Sequence, residues 1–209
     1  MLYRIRKSIL QDLSTLYAYL ANDNIIPDRI NKIDISVMEP DCGWLTLNIK
    51  STDNQEINID MSDVYNPLND VRKFMETAII DNEASLVIDC ELYKVYIWLH
   101  IIAMDISNNY DPIGLLAIYD DIESEKSGGQ QLITPVKINQ FISNLYISLK
   151  QMALNSTSIV DNWDIYPGSN NDWSLDECRN RLFNDFIYSK CIEDYLIDSH
   201  DIIGINKNP

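Results

Sequence analysis

Residues 57–79 read INIDMSDVYNPLNDVRKFMETAI. Ile57, Ile59 and Met61 alternate with Asn58 and Asp60, the pattern of a strand with one wet face. Asn66 and Pro67 then mark a change of period. Asparagine is a favoured helix N-cap, and a proline at the first helical position has no amide proton to leave unsatisfied. Leu68, Val71, Met75, Ala78 and Ile79 follow at helical spacing, with Asp70, Lys73, Glu76 and Thr77 opposite. Strand, tight turn and helix is also the layout of phosphate cradles and nucleophile elbows. A cradle needs glycines that let backbone amides approach an anion, with a lysine beside them, and an elbow needs G-x-S-x-G. Neither set is present, so the turn is expected only to fold a helix back over the apolar face of a sheet.

The sheet extends outward from this stretch. KIDISVM (32–38) and GWLTLNIK (43–50) repeat the alternation, giving with 57–61 an antiparallel meander. SLVIDCE (85–91) and LYKVYIWLHIIAMD (92–105) form a hairpin turning near Glu91–Lys94, and its second strand is apolar on both faces, as a central strand is. IGLLAIYDD (113–121) adds one more strand. Helical periods run through 8–21, on Ile9, Leu13, Leu16, Tyr17 and Leu20, and through Ile138, Phe141, Ile142, Leu145, Tyr146, Leu149, Met152 and Ala153. Ser174 and Glu177 make a capping box, opening a helix that carries Leu175, Cys178, Leu182, Phe186 and Leu196. The expectation is an α+β fold, one domain over residues 1–209, with a largely antiparallel sheet of five to six strands and four helices. A charged loop at 120–131 and a polar loop at 155–173 are read as excursions from it.

Thirty-two acidic against sixteen basic residues give a net charge of −16, unevenly spread. Residues 51–125 hold sixteen acids and three bases, whereas 126–150 hold three lysines and no acid. Such a field repels nucleic acid and anionic membrane and speeds encounter with a basic protein. No apolar run approaches the length of a membrane span. Gln11 and Asp12 interrupt the apolar stretch that a signal peptide would need, so a cytoplasmic location is expected.

The usual chemical constellations lack parts. Cys42, Cys90, Cys178 and Cys191 show no CxxC spacing, and with two histidines they make a poor zinc set. Cys90 reads as a small core residue, and His100 as a core or interface histidine. DNWDIYPGSNND (161–172) reads as turns rather than a calcium loop, and no spacing singles out a catalytic carboxylate pair. Tyr96, Trp98, Trp163 and Trp173 could stack on bases, but the charge opposes it, so they are assigned to core or protein contact. No catalytic residue, cofactor or metal is expected.

Between residues 33 and 104, GWLTLNI, VYNPLNDVRKFMETAI and LYKVYIW form a strand, a proline-initiated amphipathic helix and a strand hairpin. In this order they resemble the small acidic immunity proteins encoded beside bacterial polymorphic and contact-dependent toxins. The resemblance implies a non-catalytic protein that binds and blocks a basic cognate toxin, such as a nuclease, and brings no catalytic residues with it. The densest acidic run, Asp120, Asp121, Glu123 and Glu125, directly follows a predicted strand and is the candidate partner-binding set. The rival readings are a scaffold or regulatory interaction domain and, behind it, a carboxylate-dependent hydrolase.

Overall fold

A computed structural model describes residues 30–81, 83–105, 111–120, 131–165 and 173–202. The predicted helix at 8–21, residues 121–130 of the charged loop and residues 166–172 of the polar loop lie outside the described residues. Within them the fold is α+β, with seven strands in two antiparallel sheets. The first sheet is the meander β1 (Ile33–Val37), β2 (Trp44–Ser51) and β3 (Glu56–Ser62). The second joins β4 (Glu83–Asp89), β5 (Lys94–Asp105), β6 (Asp111–Asp120) and β7 (Gln131–Lys137) in that order.

The alternation in the meander is kept. Leu45, Leu47 and Ile49 pair with Met61, Ile59 and Ile57, all six buried on one face. Thr46 and Asn48 on the other face hydrogen-bond across the pair, to Asp60 and Asn58 respectively, each at 2.7 Å. This face is polar and needs no cover.

Helix α1 (Leu68–Ile80) follows the turn and packs on β4, burying Leu68, Val71, Phe74, Met75 and Ala78. The expected cap is not made. Asn66 takes φ 30°, and Pro67 stands before the helix, its carbonyl accepting from Asp70 and Val71. The side-chain oxygen of Asn66 is buried with no hydrogen-bond partner among the described residues. The proline sets the start of this helix without side-chain help.

Helix α2 (Ile138–Asn155) buries all eight residues of its predicted stripe. It also closes an open edge: Asn144 and Ser148 donate to the carbonyls of Ile33 and Ile35 on β1, at 2.6 and 2.8 Å. An uncovered strand edge leaves such groups unpaired or open to another chain. At its far end Arg179 donates to the carbonyls of Ser156 and Asn155.

Three elements differ from expectation. Strand β7 lies where none was read, because Pro135 interrupts its pattern. It is the edge of its sheet, where a residue lacking an amide proton is tolerated, and Pro135 accepts from the amide of Asn31 at 3.1 Å. Residues 155–165 are not a surface excursion. A short turn of helix, α3 (Ile159–Asn162), seats Ile159, Trp163 and Ile165 in the core. The helix opened by Ser174 does have its capping box but is short: α4 (Leu175–Arg181) runs into a π-helical turn (Leu182–Ile187). A separate helix α5 (Lys190–Ile202) follows, where the Ser189 hydroxyl accepts from the amide of Ile192.

Both sheets and the helices share one continuous apolar cluster. Asn31 stitches the sheets at their seam: its side chain donates to Thr134 at 2.7 Å and to Asp53 at 3.2 Å, and accepts from Thr52 at 3.0 Å. A buried polar group with its bonds made in this way fixes register at little cost.

Candidate partner-binding surface

Four acids of the chain's middle, Asp60, Asp89, Glu91 and Asp120, stand near one end of the four-stranded sheet. Asp89 ends β4 opposite Lys94, which begins β5, and Asp120 ends β6 opposite Val95. Between β4 and β5 the chain turns through Cys90–Tyr93. Glu91 takes φ 64°, its amide donating to the Asp89 carboxylate at 3.0 Å, while the amide of Cys90 donates to the Tyr93 carbonyl at 2.9 Å. That geometry throws Leu92 outward, and it is 95% exposed.

A second turn lies beside this tip. Ser62, at the end of β3 and itself buried, donates its hydroxyl to the Glu91 carboxylate at 2.5 Å and accepts from the amide of Val64 at 3.2 Å. The next two residues are apolar and open to solvent, Val64 at 72% and Tyr65 at 55%. One buried hydroxyl thus holds two loops together, and between them they expose Leu92, Val64 and Tyr65. Isolated exposed apolar residues are ordinary on any surface, but a group presented by braced turns has the character of a contact site.

Charge surrounds the group. Asp60, Asp89, Glu91 and Asp120 stand at this end against Lys94, whose ammonium is 3.6 Å from Asp89. Tyr93 beneath the tip registers the field. Burial first, then the neighbouring Cys90 and the charge of Asp60, with a smaller effect of Asp120, push its hydroxyl up to about 12. Of the predicted partner-binding set, Asp120 is the last residue of β6 and half-buried. Asp121, Glu123 and Glu125 lie outside the described residues. Sequence reading missed Ser62, Val64, Tyr65 and Leu92, because only the folded contact between Ser62 and Glu91, 29 residues apart, brings them together.

Of the aromatic residues singled out from the sequence, Tyr96 and Trp98 lie on the outer face of the same sheet, whereas Trp163 is in the main core and Trp173 packs against it. Tyr96 stacks on Tyr119 with ring centres 5.1 Å apart, and Trp98 on His100 at 5.4 Å. The Trp98 indole donates to Glu83 at 2.7 Å, and the His100 Nδ1 lies 3.7 Å from the same carboxylate.

Elsewhere the displaced carboxylates are tied to structural hydrogen bonds. Glu39 is held below its usual range chiefly by the hydroxyl and amide of Thr157, with help from Ser158. Glu177 is held down by the amide and hydroxyl of Ser174, and Glu193 mainly by Lys150, then by Tyr146. A general acid needs the opposite displacement. Among the described residues no group of three or more histidine, cysteine or acidic side chains is placed to hold a metal ion. Cys90 and Cys178 are buried free thiols, and Cys42 and Cys191 exposed ones. No described helix is long and apolar enough to cross a membrane.

Fold and surface together define an antiparallel α+β protein with an acidic end bearing braced apolar turns. No family model, curated protein or solved structure matches the chain.

Proposed function

We propose that the chain is a non-catalytic binding protein that neutralises a basic partner in the cytoplasm, acting as an immunity protein toward a toxin such as a nuclease. The observation that carries this reading is the apolar group Leu92, Val64 and Tyr65, set among Asp60, Asp89, Glu91 and Asp120. A toxin that acts on nucleic acid has a positive cleft. An acidic surface speeds encounter with such a cleft, and apolar anchors that lose water on docking slow the release. The downward displacement of Glu39, Glu177 and Glu193 supports a structural rather than a catalytic use of those acids.

The test starts from the gene immediately upstream: if it encodes a large secreted protein with a variable, basic C-terminal domain, that domain is the partner, and its absence would count against the reading. Co-expression is expected to restore growth of cells making that domain. Leu92→Asp should weaken the complex by about 30-fold or more, the loss of a central anchor, with the rise mainly in the off-rate. Growth that is not restored, or binding indifferent to Leu92→Asp, would remove this end of the sheet as the contact surface.

A further inference from the structure

The outer face of the four-stranded sheet carries an aromatic and acidic strip that the proposed contact surface leaves unused. Its rows follow from the register: Val87 stands beside Tyr96, Ser85 beside Trp98 and Glu83 beside His100. Along β4 the strip is open to solvent, where Glu83, Ser85 and Val87 are all exposed. On β5 the Trp98 side chain is half-buried, and one face of its ring stacks on His100 with the planes 4° apart. Side chains two apart on a strand stand about 7 Å from one another. The other face of the indole therefore looks along β5 toward the row of Val87 and Tyr96. Its neighbour across the strands is a serine, too small to cover it.

A carboxylate is fixed at the edge of this ring. The Trp98 indole donates to Glu83 at 2.7 Å, and the same carboxylate lies 3.7 Å from His100 Nδ1, yet the Glu83 side chain is 60% exposed. Anchored through one oxygen, the carboxylate stays within reach of a planar cation lying flat on the indole. A guanidinium has the shape for both contacts: it stacks on aromatic faces, meets a carboxylate edge-on and is weakly hydrated, whereas an ammonium is a compact and strongly hydrated point charge. Tryptophan is the best ring for such a cation. The chain makes the same contact within itself, where the Arg181 guanidinium lies 4.3 Å from the centre of the Trp173 ring. A second copy of the chain, at a net charge of −16, would meet the strip with like charge.

We infer that Trp98 and Glu83, with Ser85 and Val87, form a binding site for an arginine side chain of a partner protein. The guanidinium lies on the indole face turned away from His100 and pairs with the Glu83 carboxylate. Its methylene stem crosses Ser85 and packs on Val87, which is 50% exposed. The site rests on the proposed function for the basic character of the partner and adds to it the kind of residue that is read. It also gives the complex a second contact, on the face of the sheet, separate from the turns that carry Leu92, Val64 and Tyr65.

The probe is a dye-labelled peptide of alternating glycine and arginine, compared by fluorescence anisotropy with its lysine counterpart at one salt concentration. The unaltered chain should bind the arginine peptide about two- to fivefold tighter, the contribution of an exposed cation–π contact. Ser85→Arg sets a cation of the chain's own beside the indole and should weaken binding about tenfold. Glu83→Gln keeps an acceptor for the indole but removes the charge, and should weaken it about threefold. Asp70→Asn, the same loss of charge on α1, should change it less than about twofold. Equal affinity for the two peptides, indifference to Ser85→Arg, equal losses in Asp70→Asn and Glu83→Gln, or no binding at all would overturn the site. The probe is a peptide and not the upstream domain, so the two readings fail separately. A chain that does not restore growth but keeps the arginine preference would lose the proposed function and retain the site; restored growth without that preference would do the reverse.

Discussion

Replacing Trp163 by alanine separates two views of residues 155–165. Their composition is that of a polar surface loop, in which a tryptophan could be removed for less than about 0.5 kcal/mol. In the structure Trp163 is 2% exposed and belongs to the main apolar cluster. The backbone around it is latched: Gly43 donates to the Asn162 carbonyl at 2.9 Å, and the amide of Asp164 to the Asp63 carboxylate at 3.1 Å. These bonds hold the segment in place when the side chain is truncated, so the site cannot close fully over the space left behind. Trp163→Ala should then cost about 3 to 5 kcal/mol, the range for a large aromatic removed from a core that relaxes only in part. With a urea slope of about 2 to 3 kcal/mol per molar for a chain of this size, the unfolding midpoint falls by about 1 to 2.5 M. Trp163→Phe should recover more than half of the loss. Asn162→Ala, which removes an acceptor 3.2 Å from the Cys42 amide at the surface, should cost about 1 kcal/mol or less. Equilibrium unfolding followed by far-ultraviolet circular dichroism measures all three without relying on tryptophan emission. A midpoint shift below about 0.3 M for Trp163→Ala would show the side chain outside the core and refute the reasoning.

Further outcomes follow from the same geometry. Gly114→Val should destabilise by about 1 to 3 kcal/mol, because its Cβ would stand 2.7 Å from Ile138 Cδ1 and its added methyls have nowhere to go. Gly114→Ala should cost much less, since flexible side-chain ends can yield and the unfolded chain loses freedom; thermal melting distinguishes the two. The Glu193 carboxylate, held below its ordinary value of 4.5 chiefly by Lys150, contributes stability that is present above that value and lost as pH falls through its lower folded one. The stability gap between the wild type and Glu193→Gln should thus be widest near neutrality and narrow as pH falls below 4.5, as read by urea titration at stepped pH. Neutralising Asp120, Asp121, Glu123 and Glu125 together should slow association with the basic partner and weaken its salt dependence while leaving the melting temperature nearly unchanged, as stopped-flow and calorimetry would show.

Local periodicity was legible in the sequence, and so were the described elements in which it is strongest. The meander of Leu45, Leu47, Ile49, Ile57, Ile59 and Met61 and the eight-residue stripe of α2 could be read directly, since alternation and helical spacing record which side meets the core. What could not be read is what depends on contact at long range. Strand β7 hid behind Pro135, whose place at a sheet edge makes it harmless only once the edge is known. Phe186 and Leu196 suggested a continuous helix after Ser174, but the chain breaks there. The amide of Tyr188 turns back to the Phe183 carbonyl, and Ser189 restarts the helical bonding by capping α5. The division into two sheets was invisible for the same reason, because the seam depends on Asn31 meeting Thr134, 103 residues away.

The candidate surface shows the same division between local and distant information. Charge was readable from composition, and it pointed to residues 51–125 and to the run that begins at Asp120. The apolar part was not, because Leu92, Val64 and Tyr65 sit in segments that look like ordinary turns and have no period of their own. Their association depends on Ser62, whose buried hydroxyl serves Glu91 on one loop and Val64 on the other. A serine at the end of an alternating strand carries no signal of that role. If a surface of this kind works by combining a long-range field with a few fixed apolar contacts, the two parts should be separable in kinetics. The field is delocalised over many acids, so single charge changes alter the approach only slightly. The contacts are few and braced, so losing one changes residence time sharply. Ser62→Ala tests the brace itself: it leaves every exposed group and every charge in place but lets the two turns move apart. Its effect should therefore fall on the off-rate, with an on-rate close to that of the wild type. An on-rate that fell with an unchanged off-rate would show that the two turns do not act as one contact.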